Sequence, residues 1–140
     1  MRLDGLRRTK PLFEEMRMTP EEPFDLNAAL AYMDGDKALF HELVKVFLEE
    51  STNQVNQARA GIANGDAKLV ERSAHSIKGS ASTFAAKRSA EAARHLEVLG
   101  REGKFAEFLP ALTVLEGELE LLKAALEAAS DEDVPPSANN

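Results

Sequence analysis

The strongest candidate for a reactive side chain in this sequence is His75. It lies in the stretch AHSIKGSASTFAA, with Lys78 three residues later and Gly79 four residues later. A neutral imidazole is a nucleophile at neutral pH and can accept a phosphoryl group on a ring nitrogen. Such a transfer needs positive charge beside the transferring oxygens and room for an in-line donor. Lys78 supplies that charge, whereas Gly79, Ala81 and Ser82 leave the helix surface beside the ring bare.

The stretch is predicted to be helical, because its apolar residues recur at helical spacing. On a wheel of about 100° per residue they form one stripe roughly 80° wide, which is expected to face the core. The residues of that stripe are Val70, Ala74, Ile77, Ala81 and Phe84. His75 lies roughly 140° from the stripe and is therefore expected to reach solvent.

Five residues near His75 are candidates for contact with a docked partner: Glu71, Arg72, Gly79, Ala81 and Ser82. From residue 66 to residue 104 the chain has eight basic and five acidic residues, whereas the rest has nine basic and nineteen acidic. A relatively basic face on an acidic protein suits a partner with an acidic pocket.

The other histidines offer less chemistry. His41 is expected on a polar helix surface and His95 at the rim of a helix's apolar face. The three histidines form no i,i+4 ligand pair and the chain has no cysteine, so we expect no metal site. We also find no phosphate-binding glycine loop and no kinase signature, so we expect no bound cofactor, no ATP binding and no autophosphorylation.

Composition narrows the class of protein. The chain has 140 residues, of which 44% are hydrophobic and 29% charged, as expected for one globular domain. The net charge of −7 and the absence of tryptophan argue against nucleic-acid binding. No apolar run approaches the roughly 18 residues of a membrane span, and the first residues have no signal core. A cytoplasmic monomer that contacts no membrane is predicted.

Everything between the two ends of the chain has helical periodicity. A short helix follows Asp25, a second runs from Asp36 to Gly65, a third contains His75, and a fourth runs from Lys87 to Gly100. The last helix carries apolar residues spaced alternately by three and four, namely Phe105, Phe108, Leu112, Leu115, Leu119, Leu122, Leu126 and Ala129. Pro110 predicts a kink or a restart in this helix.

Short loops between these helices predict an all-α, antiparallel up-and-down four-helix bundle with a short additional N-terminal helix. Residues 1–23 are read as an N-terminal extension, either partly helical or a leader, residues 24–129 as the bundle, and residues 130–140 as an acidic disordered tail. A coiled-coil dimer through the last helix is the alternative explanation of its apolar stripe.

The stretch AHSIKGSASTFAAKRSAEAARHLE resembles the histidine-containing phosphotransfer (HPt) domains of bacterial multistep phosphorelays. Their motif is approximately A-H-x-L-K-G-x-A, followed later by a Leu-Glu pair. The motif matches here at Ala74, His75, Lys78, Gly79 and Ala81, with Ile77 for its leucine and with Leu96-Glu97 as the later pair. The resemblance extends over roughly residues 24 to 129.

This resemblance implies that His75 accepts a phosphoryl group from a receiver-domain aspartate, or from a kinase, and passes it to another receiver aspartate. Lys78 would neutralise the phosphoryl group and Gly79 would give docking room. The implied partners are response regulator receiver domains and a hybrid sensor histidine kinase, with Mg²⁺ belonging to the receiver. Ala85 stands where the family usually has glycine, and we expect a slightly different helix end without loss of function.

Two other functions remain open from the sequence. One is a helical interaction module that is never phosphorylated and that binds or sequesters a kinase or response regulator. The other is a purely structural bundle that dimerises through its last helix.

Overall fold

The computed structural model describes residues 22–133, which form five α-helices and no strands. The helices are α1 (Leu26–Tyr32), α2 (Lys37–Asn64), α3 (Ala67–Thr83), α4 (Lys87–Glu102) and α5 (Phe105–Asp133). Each of the four long helices packs against the next one, and α5 packs back against α2, while α1 lies against α2. The predicted four-helix bundle with a short N-terminal helix is confirmed.

The helix boundaries follow from capping residues that the sequence already showed. The carboxylates of Asp25, Asp36 and Asp66 each accept a hydrogen bond from the backbone N–H three residues later, at 3.0, 2.9 and 3.1 Å. Gly65 and Gly103 end α2 and α4 in the left-handed conformation, with φ of 69° and 67°. These turns are short, so consecutive helices are antiparallel neighbours.

The core contains the two apolar stripes that periodicity predicted. The stripe of α3, from Val70 to Phe84, is buried throughout. The stripe of α5 is buried from Phe108 to Leu126, but Phe105 is exposed, contrary to its predicted place in the core. Because the stripe packs inside this chain, it requires no coiled-coil partner.

Two glycines on neighbouring helices let α3 approach closely on both sides. A Cβ on Gly61 of α2 would lie 2.9 Å from Cγ2 of Val70, and a Cβ on Gly100 of α4 would lie 2.9 Å from the backbone nitrogen of Glu71. Real Cβ atoms do not make such contacts, so any larger residue would push the helices apart. The close fit between α3 and α4 sets the register between the side chains that the two helices share.

The turn from α3 to α4 contains Ala85, the residue that stands where the resembled family usually has glycine. Ala85 has a φ of 55°, in the left-handed region that costs a residue with a Cβ roughly 1–2 kcal/mol. Its neighbours Phe84 and Ala86 are buried, so core packing holds the turn in this conformation. The backbone of this turn is therefore of the kind that glycine favours, even though alanine occupies it.

The structure corrects two boundaries. α5 continues to Asp133, so residues 130–133 are helical and do not belong to the predicted disordered tail. Pro110 lies within α5, which is one continuous helix, so of the predicted kink or restart the restart does not occur. The extension up to residue 21 and the tail from residue 134 lie outside the described residues. None of the helices within residues 22–133 has the length and apolar character needed to span a bilayer.

Candidate functional site

His75 projects from the middle of α3 into solvent, as predicted, with 66% of its side chain exposed. One helical turn after His75, on the same face of α3, lies Gly79, which has no side chain. A Cβ built on Gly79 would meet nothing within 4 Å, so the surface next to the ring is open. A partner can therefore reach the imidazole without first displacing a side chain.

The ring of His75 contacts the side chain of Glu97 of α4 on the side that faces the protein. The Nδ1 atom of His75 lies 2.8 Å from Oε2 of Glu97. Only 7% of the Glu97 side chain is exposed, and the preceding residue, Leu96, is fully buried in the core. The packing of α4 against α3 therefore fixes a carboxyl group directly behind an exposed imidazole.

Glu97 is ionised at neutral pH. Burial by itself would raise the pKa of this carboxyl, but hydrogen bonds from Lys78 and His75, together with the charges of both groups, outweigh burial and hold the pKa below its usual range. A carboxylate only accepts hydrogen bonds, so Nδ1 of His75 must carry a proton to make this contact. In the neutral ring, Nε2 then keeps its lone pair, and that nitrogen is the nucleophile.

The carboxylate of Glu97 also binds two cations. Nζ of Lys78 lies 2.8 Å from Oε1 of Glu97, and a guanidinium nitrogen of Arg101 lies 3.3 Å from Oε2. Arg101 in turn lies 3.2 Å from Oε2 of Glu71 on α3. Lys78 is thus anchored next to the imidazole with two of its three ammonium protons still available to another acceptor.

The residues predicted to contact a partner do not all lie on the surface. Arg72 and Ser82 are exposed on α3, although the hydroxyl of Ser82 donates to the backbone carbonyl of Lys78 at 2.9 Å. Glu71 is half-buried and paired with Arg101. Ala81 is fully buried, so its assignment to partner contact is wrong. Its place in the apolar stripe of α3 puts it in the core.

Sequence reasoning gave Glu97 no chemical role and did not identify Arg101. The only signal for Glu97 was its place in the Leu-Glu pair of the resemblance, because it lies 22 residues from His75. His41 also differs from its prediction. It is half-buried, its ring lies 5.9 Å from that of Phe40, and its buried Nε2 has no hydrogen-bond partner among residues 22–133.

Comparison with known proteins agrees with this fold. The family model of the Hpt domain matches residues 42–131, which is more than half of the chain. A similar solved structure is the crystal structure of histidine-containing phosphotransfer protein B (HptB) from Pseudomonas aeruginosa PAO1, with a TM-score of 0.75. The two chains are 20% identical, and the match covers 80% of this chain and 97% of that one. No curated protein sequence matches this chain.

Proposed function

The chain belongs to the Hpt domain family and has a histidine phosphotransfer role in phosphorelays, and we propose that His75 is the residue that carries the phosphoryl group. The observation that supports this most directly is the contact between exposed His75 and buried, ionised Glu97. It directs the Nε2 lone pair of the ring toward solvent, where a partner's phosphoryl group can meet it.

In the proposed reaction the Nε2 lone pair attacks the phosphorus of an aspartyl phosphate on a receiver domain. The N–P bond forms as the P–O bond to the aspartate breaks, and the bond's electron pair leaves with the carboxylate. The Nδ1 proton stays in place, so the phosphorylated ring is a cation that donates its hydrogen bond to Glu97. Reversal onto a second receiver's aspartate expels a neutral imidazole, which is a better leaving group than its anion.

Lys78 and Gly79 have supporting roles in this proposal. The free ammonium protons of Lys78 neutralise the phosphoryl oxygens, while its contact with Glu97 keeps the charge beside the ring. Gly79 leaves room for the receiver, and exposed Arg72 and Ser82 lie within the same docking surface. The proposed partners are receiver domains and a hybrid histidine kinase in the cytoplasm, with the chain acting as a monomer that has no kinase activity of its own.

The test is transfer of label from a receiver domain that has been phosphorylated with a small phosphodonor. The chain should gain an acid-labile, base-stable label, and His75→Gln should abolish it. His95→Gln is the matched control, because His95 is also an exposed histidine on this bundle but lies on α4. Label that persists in His75→Gln would contradict the proposal. Binding of the receiver without any label would instead favour the interaction module that is never phosphorylated.

A further inference from the structure

The side of α5 that faces away from the core carries a long apolar surface, which we call the α5 outer face. Eight exposed residues lie along it and none of them is charged: Ala106, Pro110, Thr113, Val114, Gly117, Leu121, Ala124 and Ala128. Val114 is 59% exposed and Leu121 is 50% exposed. A surface helix normally has polar residues opposite its core face, so a helix that is apolar on both sides indicates a further contact.

A groove between α4 and α5 extends this surface. It has a volume of about 270 Å³, and Ala92, His95, Pro110 and Val114 are among its lining residues. The groove has room for a large apolar side chain. An occupant of the α5 outer face would therefore need apolar groups that can enter a groove as well as cover a helix.

The charges around the face specify what kind of segment fits. From Phe105 to Asp133, α5 has eight acidic residues and one basic residue. Glu107, Glu120 and Glu127 are exposed near the edges of the face, and no ion pair engages them within residues 22–133. A second copy of the chain would bring the same acidic edges together, which is unfavourable. A basic segment with apolar side chains is complementary.

Residues 1–13 of this chain, MRLDGLRRTKPLF, have that chemistry. They contain four basic residues and one acidic residue, with Leu3, Leu6, Leu12 and Phe13 as large apolar groups. We infer that residues 1–13 bind the α5 outer face of their own chain. The tail from residue 134 is not a comparable candidate, because its seven residues include no basic side chain.

The geometry permits this contact. The described chain enters the bundle where Asp25 donates from its backbone N–H to the carbonyl of Phe84, at 3.4 Å, which is the end where α5 finishes. In an extended conformation, residues 14–22 would reach about 30 Å. That is enough to cross the bundle, because two helices side by side are about 20 Å wide. Thirteen extended residues reach about 43 Å, and the face from Ala106 to Ala128 is about 33 Å long.

The contact lies away from the proposed phosphotransfer site. α5 packs against α2 and α4 and is diagonally opposite α3, which carries His75. A docked N-terminal segment would therefore leave His75 accessible. It would cover apolar surface that otherwise stays in water, and its tethering raises its effective concentration at the face.

Paramagnetic broadening in the full-length chain tests this inference. The chain has no cysteine, so Thr9→Cys provides a single attachment point for a nitroxide between Arg8 and Lys10. We expect selective loss of amide signal intensity along the outer face, from Thr113 to Ala124, with weaker loss at high salt. No broadening on α5 would overturn the inference.

A mixed sample identifies the source of any broadening. Spin-labelled chain without isotope is combined with isotope-labelled chain without nitroxide, so that only contacts between copies are seen. Broadening of α5 in this mixture would show that a second copy covers the face and would overturn the inference. We expect none.

A pair of substitutions tests whether the outer face is the contact. Leu121→Glu puts a charge in its centre and should abolish the broadening, whereas Val46→Glu on α2 should not. The two positions are matched, because Leu121 is 50% exposed and Val46 is 51% exposed. Equal broadening in both variants would contradict docking at this face. Both variants change exposed residues, and circular dichroism checks that they fold.

Discussion

The substitution Glu97→Gln isolates the charge behind His75 while keeping the size and shape of the side chain. The carboxylate fixes the Nδ1 proton of the ring and stabilises the cation that forms when Nε2 is phosphorylated. A glutamine amide has no charge. Its NH₂ group can also donate to Nδ1, which would leave the proton on Nε2 and remove the nucleophilic lone pair. We expect slower uptake of the phosphoryl group by His75 from a phosphorylated receiver.

The size of the effect follows from the contact itself. A hydrogen bond to an ionised group contributes about 1.5–3 kcal/mol, compared with about 0.5–1.5 kcal/mol for a neutral pair. The Nδ1 to Oε2 distance of 2.8 Å is that of a well-formed charge-assisted bond. Losing the difference of about 1–1.5 kcal/mol slows the transfer about tenfold. A population of the wrong tautomer adds to this loss.

Two measurements test this reasoning together. The rate of label transfer from a phosphorylated receiver reports the barrier, and ¹⁵N shifts of the His75 ring report which nitrogen carries the proton. Glu91→Gln is the matched control. It removes a carboxylate of the same helix that pairs with Arg94 and does not contact His75, so its rate should stay close to that of the unsubstituted chain. Denaturant unfolding checks that both variants are folded at the assay temperature.

One result would refute the proposed role of Glu97. If Glu97→Gln transferred phosphoryl groups as fast as Glu91→Gln, with the Nδ1 proton still in place, the carboxylate would have no effect on the nucleophile. A slower rate in Glu97→Gln together with an unchanged tautomer would show that the carboxylate acts by stabilising the charged, phosphorylated ring.

Three further predictions concern stability and can be measured by denaturant unfolding. Ala85→Gly should stabilise the chain by about 0.5–1 kcal/mol. Glycine adopts the left-handed φ of 55° without strain, and this gain exceeds the cost of the greater conformational entropy that glycine gives the unfolded chain. The control Ala124→Gly, in the middle of α5, should destabilise the chain by a similar amount. Gly100→Ala should cost about 1–3 kcal/mol, because its Cβ would meet the backbone of α3, whereas Gly117→Ala, with nothing within 4 Å, should stabilise by about 0.5–1 kcal/mol. The pKa of Glu97 is lower in the folded chain, so its stabilising contribution is complete above the unfolded pKa of about 4.3 and is lost as pH falls through the folded value. The difference in unfolding free energy between the unsubstituted chain and Glu97→Gln should therefore shrink in acid; a difference that stays constant or grows would contradict the direction of this pKa shift.

Much of the fold could be predicted because it depends on residues close together in the chain. Three helices are capped by an aspartate that accepts from the N–H three residues later, namely Asp25, Asp36 and Asp66. Gly65 ends α2 because its own backbone adopts the left-handed conformation. Helical periodicity placed Val70 to Phe84 in the core and turned His75 to solvent. Capping and periodicity act over one or two helical turns, so they can be recognised without knowing how the helices pack.

The errors have two origins. Ala81 was assigned to partner contact although helical periodicity already placed it in the core stripe, about 120° around α3 from His75. Phe105 continues the spacing of α5 but lies at its exposed first turn. Spacing identifies the face of a helix, but it does not show where along the helix a neighbour stops covering that face.

The sequence by itself therefore determined the helices, the exposure of His75 and the open surface at Gly79. Only the tertiary structure decided that the Glu97 carboxylate lies 2.8 Å behind the imidazole, 22 residues away in the chain. It also decided that Gly100 sets the close approach of α3 and α4, and that Ala85 adopts a left-handed turn. The physical reason is that the register between two helices results from the packing of the whole core, which no short stretch of sequence encodes.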